Sequence, residues 1–416
     1  MAQPQNATTQ AVQRHRNTSK LIDYADPYFA TAHLEGLMAL YARPLDGRAV
    51  ELSTGAAKGR RVVDFVRCSY LGLDNHPAII EGALETVAQC GALHWSCART
   101  RLNFDFLGQL EEALSNLFSA HVIAYSSVLA ANMGALPLLA SGHLTGNVKP
   151  IMVFDRFAHA TLAFHKGTVA EEAEVITIEH NDLEALEVIC RENPCVAYIC
   201  DGVYSMGGAA PVDQLLALQA RYGLFLYIDD AHGISLFGDN GEGFARSHFG
   251  GELGEHTIIA ASLGKGFGAS GGILMLGTAR QAELFRRFSL PHAFSASPNL
   301  AAIGAALASE SLHRTSELAM LQQRLRENTK LFDRLFPTPF THADLPIRTI
   351  EIGDELATIG AAKAILDQGF YTSAIFFPTV AKGRAGLRIC PTAGHSEAEI
   401  TALCQFLVET LQTAPH

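Results

Sequence analysis

Short apolar segments alternate with amphipathic segments from about residue 121 to residue 228 of this chain. The apolar runs have the length of strands, and the segments between them carry leucines at helical spacing. Strands that are apolar on both faces are typical of a mostly parallel sheet with helices packed on each side. We therefore predict a large α/β domain whose first strands are residues 121–125, 150–154, 173–178, 196–200 and 224–228.

The pattern changes at both ends of the chain. Residues 1–62 are predicted to form an N-terminal arm and a hairpin, and residues 63–300 the large domain. Residues 301–416 begin with a long helical stretch and continue as a smaller α+β domain. At 416 residues the chain is long enough to bury one large core and a second, smaller one.

Composition excludes several classes of protein. A chain that is 48% hydrophobic and 18% charged is globular rather than disordered or fibrous. The formal net charge of −11, without a dense basic run, argues against a nucleic-acid binder. The eight cysteines form no C-x-x-C pair, so we predict neither a metal site nor a disulfide framework. The polar N-terminus and the absence of a long apolar run predict a cytoplasmic protein with no membrane span.

Charged side chains follow the predicted strands. Asp155, Asp201 and Asp229 lie at or just past strand ends, and Lys265 lies in a glycine-rich turn after the apolar residues 257–260. In open α/β sheets, ligands bind beyond the carboxyl ends of the strands. The position of these residues therefore predicts one binding site at this edge of the sheet.

A lysine, an aspartate and a histidine in such positions suit pyridoxal 5′-phosphate (PLP). The Lys265 amine would form a Schiff base with the aldehyde, and the Asp229 carboxylate would keep the pyridine nitrogen protonated. Taken alone, Lys265 also fits a phosphate clamp or a solvated turn residue, and Asp229 a helix cap. A Walker loop is poorly matched, because Ile259 stands at the position of its first glycine and Gly266 follows the lysine.

Further side chains could complete a PLP site. His159 follows a strand and could stack on the pyridine ring, although a single histidine is more often structural. Ser205 could bond the phenolic oxygen, and Ser262 could donate to the phosphate. A predicted helix that begins near Val128 offers backbone N–H groups to the same anion, and we include its first residues, Ser127, Val128 and Leu129, among the candidate cofactor ligands.

Several segments, in this order, resemble the α-oxoamine synthase family of fold-type-I PLP enzymes. They are Tyr70 to Leu73 with His76-Pro77, Asp201 to Met206, Asp229 to Gly233, Ser262 to Gly268, Phe294 to Pro298, and Leu387 to Ile389. The resemblance implies the fold-type-I PLP-transferase architecture and a homodimer with shared active sites. It also implies that Arg388 holds the amino-acid carboxylate, that His232 and Ser205 bond the phenolic oxygen, and that Ser295 reaches the partner subunit's phosphate.

The reaction implied by this resemblance is a condensation between an α-amino acid and an acyl-CoA or acyl-carrier-protein thioester. It releases CO2 and free thiol and gives an α-amino ketone, with Lys265, His159, Asp229 and His232 as catalytic residues. Two alternatives stay open. One is an aldolase, lyase or aminotransferase of the same fold that uses no acyl donor, and the other is a non-catalytic relative.

The chain departs from the family pattern at three places. Cys68 replaces an asparagine near the substrate amino acid, and Val128-Leu129 replaces a glycine–aromatic pair at the phosphate-binding helix. The segment from His94 to Arg101 is bulkier and more cationic than its family counterpart. We therefore predict an altered substrate pocket, with Cys68 and Arg99 as substrate-binding residues. Arg99 and Arg101 would face the phosphates of the thioester, and a solvated surface position is an equal alternative for both.

Overall fold

The structure, a computed structural model, describes residues 18–95, 98–341 and 343–412. The polar N-terminal residues 1–17 and the pair Ser96-Cys97 lie outside the described residues. The helices are α1 (Thr18–Leu34), α2 (Pro77–Cys90), α3 (Asp105–Phe118), α4 (Val128–Ala140), α5 (Ala160–Ala163), α6 (Lys166–Ala170), α7 (Leu183–Glu192), α8 (Val212–Tyr222), α9 (Phe244–Ser247), α10 (Ala279–Phe288), α11 (Leu290–Phe294), α12 (Leu300–His313), α13 (Ser316–Leu335), α14 (Glu355–Asp367) and α15 (Glu397–Gln412).

The strands form three sheets. They are β1 (Ala42–Pro44), β2 (Ala49–Leu52), β3 (Arg61–Asp64), β4 (His121–Tyr125), β5 (Ile151–Asp155), β6 (Val175–Ile178), β7 (Val196–Asp201), β8 (Phe225–Asp229), β9 (Thr257–Ser262), β10 (Gly272–Leu276), β11 (Arg348–Gly353), β12 (Phe370–Tyr371), β13 (Ser373–Ile375) and β14 (Ala385–Ile389).

The largest sheet has seven strands in the order β4-β10-β9-β8-β7-β5-β6. Strands β9, β8, β7, β5 and β6 are parallel, and β10 runs antiparallel to both of its neighbours. The five strands predicted from apolar runs are all present, within one or two residues of their expected ends. Strand β10 was not predicted, and it places β4 at the edge of the sheet. The predicted mostly parallel α/β domain is confirmed.

Both faces of this sheet are covered, which explains why its strands are apolar throughout. In β8, Leu226 and Ile228 pack on one side with α3, α8 and α12, while Phe225 and Tyr227 pack on the other with α4 and α10. Because side chains alternate along a strand, Asp229 falls on the same side as Tyr227 and therefore faces α4. This alternation decides which strand-end carboxylates can share one site.

The smaller C-terminal part contains the antiparallel sheet β11-β14-β13, covered by α14 and α15. The predicted hairpin forms as β2 and β3, but β3 also pairs in parallel with β12 near the other end of the chain. The two ends of the chain therefore share one apolar cluster, which includes Leu52, Phe65, Ile365 and Leu403. The division at residues 62 and 300 stays a prediction. Within the described ranges, no helix is both long and apolar enough to span a bilayer.

A buried ion pair joins the long helix α13 to β11. The guanidinium of Arg348 binds both carboxylate oxygens of Asp333, with N–O distances of 2.6 and 2.7 Å. Both residues are buried. A bidentate pair of this kind satisfies the charges, whereas loss of one partner leaves the other charge uncompensated in the interior.

We expect Asp333→Ala to lower the free energy of unfolding by about 3 kcal/mol, because it leaves the buried Arg348 cation without its counter-charge. The neighbouring Arg334 is exposed on the same helix, so Arg334→Ala serves as the matched control and should stay within about 0.5 kcal/mol of the wild type. Chemical denaturation of the three proteins measures both effects. Equal stability of the two variants would contradict this account.

Candidate active site

The carboxyl ends of three adjacent parallel strands meet at one edge of the large sheet. Strand β7 ends at Asp201, β8 at Asp229 and β9 at Ser262. The register pairs Asp201 with Asp229, and Asp229 with Ala260 on β9. The turn that carries Lys265 follows directly. Asp201, Asp229 and Lys265 are thus brought together as the sequence pattern predicts, whereas Asp155 is not.

A cavity of about 250 Å³ opens at this edge. It is lined by Ser126, Ser127, Val128, His159, Thr161, Asp201, Asp229, Ala231, His232, Ser262, Lys265, Ser270 and Gly271. Asp155 is not among these residues, although it also ends a strand. Its side chain points to the other face of the sheet, where it accepts hydrogen bonds from Tyr198 and from the backbone of Asn181.

The Asp229 carboxylate is fixed by two donors. Asn132 Nδ2 on α4 donates to Asp229 Oδ2 at 3.0 Å, and the backbone N–H of Ala231 donates to Oδ1 at 3.1 Å. Asn132 is itself oriented by Tyr227, whose hydroxyl donates to Asn132 Oδ1 at 2.7 Å. The sequence analysis missed Asn132, although a polar residue within the otherwise apolar α4 was a usable signal. Together these bonds aim one buried carboxylate at the cavity.

A short hydrogen-bonded chain leads from Lys265 into the protein. The Lys265 amine lies 2.8 Å from His232 Nε2, and His232 Nδ1 lies 2.6 Å from the hydroxyl of Tyr70. Tyr70 was quoted only as part of a family-like segment, and its contact with His232 shows its place in the site. His232 therefore orients the lysine, and Tyr70 orients His232.

Burial sets the protonation states of Lys265, His232 and Tyr70. Removal from water lowers the pKa of Lys265, which favours the neutral amine that attacks carbonyl carbon. Burial, followed by the nearby Lys265 charge, lowers the pKa of His232 to about 3, so its imidazole is neutral near pH 7. The pKa of Tyr70 is raised well above its ordinary value, first by burial, so its hydroxyl keeps its proton.

The first turn of α4 forms the opposite wall of the cavity. Ser127 caps this helix by accepting a hydrogen bond from the backbone N–H of Ala130 at 3.2 Å. The N–H groups of Val128 and Leu129 belong to the first turn, which has no intrahelical acceptors for them. A Cβ on Gly272 would lie 2.4 Å from Val128 N, so only glycine allows β10 to approach this turn so closely. Val128 and Leu129 thus still present backbone donors without the family's glycine.

Two further predicted ligands lie beside this wall. Ser262, the last residue of β9, lines the cavity, and its hydroxyl accepts a hydrogen bond from the N–H of Gly264. His159 begins α5, and its ring nitrogen Nδ1 lies 2.9 Å from Thr161 Oγ1. The backbone N–H of His159 donates to Asp201 at 2.9 Å, which ties this residue to the end of β7. Burial lowers the pKa of His159, so the ring is neutral near pH 7.

Arg388 on β14 comes from the C-terminal part of the chain. Its Nε donates to the backbone carbonyl of Ser205 at 2.6 Å, and its Nη2 lies 3.5 Å from Cys68 Sγ. Arg388 is buried, and Ser205 and Cys68 are half-buried. None of the three is among the cavity-lining residues.

Arg99 does not lie where a substrate ligand was expected. Its guanidinium is buried and donates to the carbonyl of Ala124 at 2.7 Å and to Glu111 at 3.1 Å. Glu111 also accepts from the backbone N–H of Ala124, so Arg99 holds helix α3 against strand β4. A cation used in this way does not face a thioester. The expectation that Arg99 binds substrate is therefore wrong for this geometry, because the guanidinium is bound instead by the buried Glu111 carboxylate on α3.

Ser295 follows α11 and is exposed, outside the cavity of its own chain. Its neighbour Phe294 is 81% exposed, which is unusual for a large apolar side chain. This placement agrees with a residue that acts across a subunit boundary, as the resemblance implies. Its role stays a prediction.

The donor set can be tested against the groups of PLP. Among the described residues, the Asp229 carboxylate, which is buried, has neutral hydrogen-bond partners and no cation within ion-pair distance, so a cationic pyridine nitrogen would supply the missing charge. The cavity also contains the Lys265 amine, whose neutral form is favoured, and the backbone N–H donors at the N-terminus of α4. In the ranges the structure covers, no group of three His, Cys, Asp or Glu side chains could hold a metal ion. These residues fit PLP.

Comparison with known proteins agrees with this fit. The family model for aminotransferase class I and II matches residues 60–407. An 8-amino-7-oxononanoate synthase from Maricaulis maris is 33% identical over 379 residues, which cover 89% of this chain and 91% of that protein. Another from Nitrosococcus oceani is 31% identical over 387 residues, covering 89% of this chain and 97% of its own.

A solved structure extends the likeness to the fold. A serine palmitoyltransferase from S. paucimobilis with bound PLP matches with a TM-score of 0.81 at 20% identity, covering 96% of this chain and 99% of that one. The fold is therefore that of the fold-type-I PLP transferases, as predicted. The chain belongs to the aminotransferase class I and II family, and the similarity to 8-amino-7-oxononanoate synthases confirms the resemblance to the α-oxoamine synthases.

The lowered pKa of His232 predicts a specific acid sensitivity. The unfolded chain binds a proton at this histidine below about pH 6.5, whereas the folded protein does not until about pH 3. The free energy of unfolding therefore falls as the pH falls through this window. From this group alone we expect a loss of roughly 1.5 kcal/mol between pH 6.5 and pH 5.

Denaturation of the wild type and His232→Gln at both pH values isolates this contribution. The other buried histidines with lowered pKa are present in both proteins and cancel in the difference. His143→Gln, at an exposed position, is the control and should follow the wild type. A stability gap between wild type and His232→Gln that does not change with pH would refute the assignment.

Proposed function

We propose that this protein is a PLP-dependent acyltransferase that condenses an α-amino acid with an acyl thioester and releases CO2 and free thiol. The observation that carries the proposal is the convergence of the Lys265 amine, the Asp229 carboxylate and the first turn of α4 on one cavity. The similarity to 8-amino-7-oxononanoate synthases supports this reaction over the other chemistries of the fold.

Each wall of the cavity would meet one part of the cofactor. Lys265 would bind the aldehyde carbon, Asp229 the ring nitrogen and His159 a ring face. The phosphate would lie against Ser262 and the first residues of α4, Ser127, Val128 and Leu129, with Ser295 of the second subunit adding a hydroxyl. When bound, PLP supplies an electron-poor ring that stabilises negative charge on the substrate α-carbon.

The side chains around Lys265 would then handle the proton and the substrate carboxylate. Lys265, with its lowered pKa, would take the α-proton, and His232 would hold the amine in place through the 2.8 Å contact. Arg388 would bind the amino-acid carboxylate, a planar partner suited to guanidinium. Its Nε–Ser205 carbonyl bond fixes the plane of that guanidinium. Ser205 and His232 would serve the phenolic oxygen.

An aminotransferase is the competing function, because the matching family model carries that name. Both enzymes would use the same lysine and aspartate, so the site near Lys265 does not separate them. The products do. An aminotransferase needs a keto-acid acceptor and releases neither CO2 nor free thiol.

We propose that the working enzyme is a homodimer. Large apolar side chains are exposed on the contacting helices α4 and α11 and at the end of α10, namely Leu129, Met133, Phe288, Leu290 and Phe294. Such a patch is typical of a protein–protein interface. It flanks the first turn of α4 and adjoins Ser295, so a second copy seated there would bring its Ser295 close to the cofactor phosphate.

The reaction is tested by incubating the PLP-loaded protein with individual amino acids and either acyl-CoA or acyl-carrier-protein donors. We expect equal amounts of CO2 and free thiol, and neither product when the acyl donor is left out. Lys265→Ala should lower the rate at least about 100-fold, because it removes the amine that moves the α-proton. Lys149→Ala, at an exposed lysine, should keep the wild-type rate. Transfer of the amino group to a keto acid, without thiol release, would favour the aminotransferase.

The dimer is tested by sedimentation of the wild type and of Phe294→Glu at micromolar concentration. By two-fold symmetry the substitution places two carboxylates at the interface, and we expect the dimer to weaken at least about tenfold. Met320→Glu changes an equally apolar, exposed residue on α13 and should leave the dimer intact. A monomeric wild type would contradict the proposal.

A further inference from the structure

A second cavity lies beside α13, apart from the candidate active site. Its volume is about 540 Å³, and none of the described residues that line it also lines the cavity around Lys265. Its apolar floor consists of Leu236 and Phe237 from the loop after β8, Leu325 from α13, and Pro346 from the segment before β11. Cavities of this size that combine apolar walls with a few polar groups are typical of small-molecule sites.

Three basic side chains form a row along one wall of this cavity. Arg326, Lys330 and Arg334 are four residues apart on α13, so they lie on one side of the helix, about 6 Å apart along its axis. In the part of the chain that the structure describes, none of the three forms an ion pair. The guanidinium of Arg326 donates to the neutral side-chain oxygen of Gln323.

The acidic residues at this cavity do not neutralise the basic row. Asp333 also lines the cavity, but its two carboxylate oxygens bind Arg348. Asp344 is exposed and forms no ion pair with any described residue. Counted over the described lining residues, three cations without an ion pair therefore face one carboxylate without an ion pair. In a chain whose formal net charge is −11, this local excess of positive charge favours an anionic ligand.

A buried hydroxyl at the same cavity lacks a partner. Thr329 lines the cavity and is 5% exposed, and its Oγ1 makes no hydrogen bond with any described group. A buried polar group without a partner costs free energy, so an acceptor bound in the cavity would stabilise this hydroxyl. An anionic oxygen is the acceptor that the charge of the cavity favours.

We infer that this cavity binds a nucleoside di- or triphosphate. The flat base would lie on the apolar floor, and the phosphates would lie along the basic row. The row spans about 12 Å, so a ligand with one negative group would use only part of it, whereas a chain of phosphates meets two or three of the cations. Arginine binds phosphate oxygens in pairs, and lysine binds them as a compact charge. The inference does not depend on the reaction proposed above.

The apolar floor connects this cavity to the turn that carries Lys265. A Cβ on Gly266 would lie 2.7 Å from Leu236 Cδ1, so the Leu236 side chain packs directly against the residue that follows Lys265. A bound nucleotide that moves Leu236 would therefore act on the backbone next to the lysine amine.

The test is a calorimetric titration of the PLP-loaded full-length protein with ATP, at low ionic strength and without divalent cations that would compete for the phosphates. Saturation with PLP keeps ATP out of the cofactor site. We expect one ATP per chain, with a dissociation constant in roughly the micromolar range. Adenosine should not bind measurably, and tripolyphosphate should bind at least about tenfold more weakly than ATP, because each carries only part of the recognised groups.

Lys330→Ala and Arg334→Ala should each weaken ATP binding at least about tenfold, because each removes one charged contact to phosphate. Arg324→Ala is the matched control, since Arg324 is an exposed cation on the same helix but outside the cavity, and it should bind ATP as the wild type does. The inference is overturned by the absence of ATP binding, by equal binding of tripolyphosphate or adenosine, or by equal affinities in Lys330→Ala and Arg324→Ala. Because the readout is the heat of binding, a failure of the proposed reaction would leave it unaffected.

Discussion

The site depends on one unpaired charge, the carboxylate of Asp229 at the end of a fully buried strand. A carboxylate removed from water is costly unless hydrogen bonds and an opposite charge compensate it. Asn132 and the backbone of Ala231 supply the bonds, and Tyr227 fixes Asn132. No cation within the described residues completes the balance at ion-pair distance. A protonated pyridine ring would do so, and the electrostatics of the site therefore favour the charge state that PLP chemistry requires.

Two further acidic residues lie close to Asp229. Asp201 and Asp230 are also buried at the same edge, and burial raises the pKa of both well above the usual range. Asp230 bonds the backbone N–H of Ala245 on the opposite face from Asp229. A group of close carboxyls cannot all ionise in a low dielectric. Three acids at one strand edge therefore have different roles, set by the face on which each lies.

The chain from Lys265 through His232 to Tyr70 can carry protons in two arrangements. In the first, Tyr70 donates to His232 Nδ1, and His232 Nε2–H donates to a neutral Lys265 amine. In the second, a charged Lys265 donates to Nε2, and Nδ1–H donates to the Tyr70 hydroxyl oxygen. Both give each ring nitrogen of His232 a partner. The tautomer of His232 is thereby linked to the charge on the amine.

Apolar periodicity was enough to predict the parallel strands and hence the edge where Lys265 and Asp229 meet, because strand length and burial are local properties. Three features were beyond that reasoning. Strand β10 begins at Gly272, directly after Gly271. Strand β3 pairs with β12 about 300 residues away, and the Glu111 carboxylate binds Arg99. Each is decided by a partner that only folding brings near. Cys68 shows the same limit from the other side. Its substitution for a family asparagine was visible in the sequence, but its contact with Arg388 is made only when the C-terminal sheet brings that guanidinium to the sulfur.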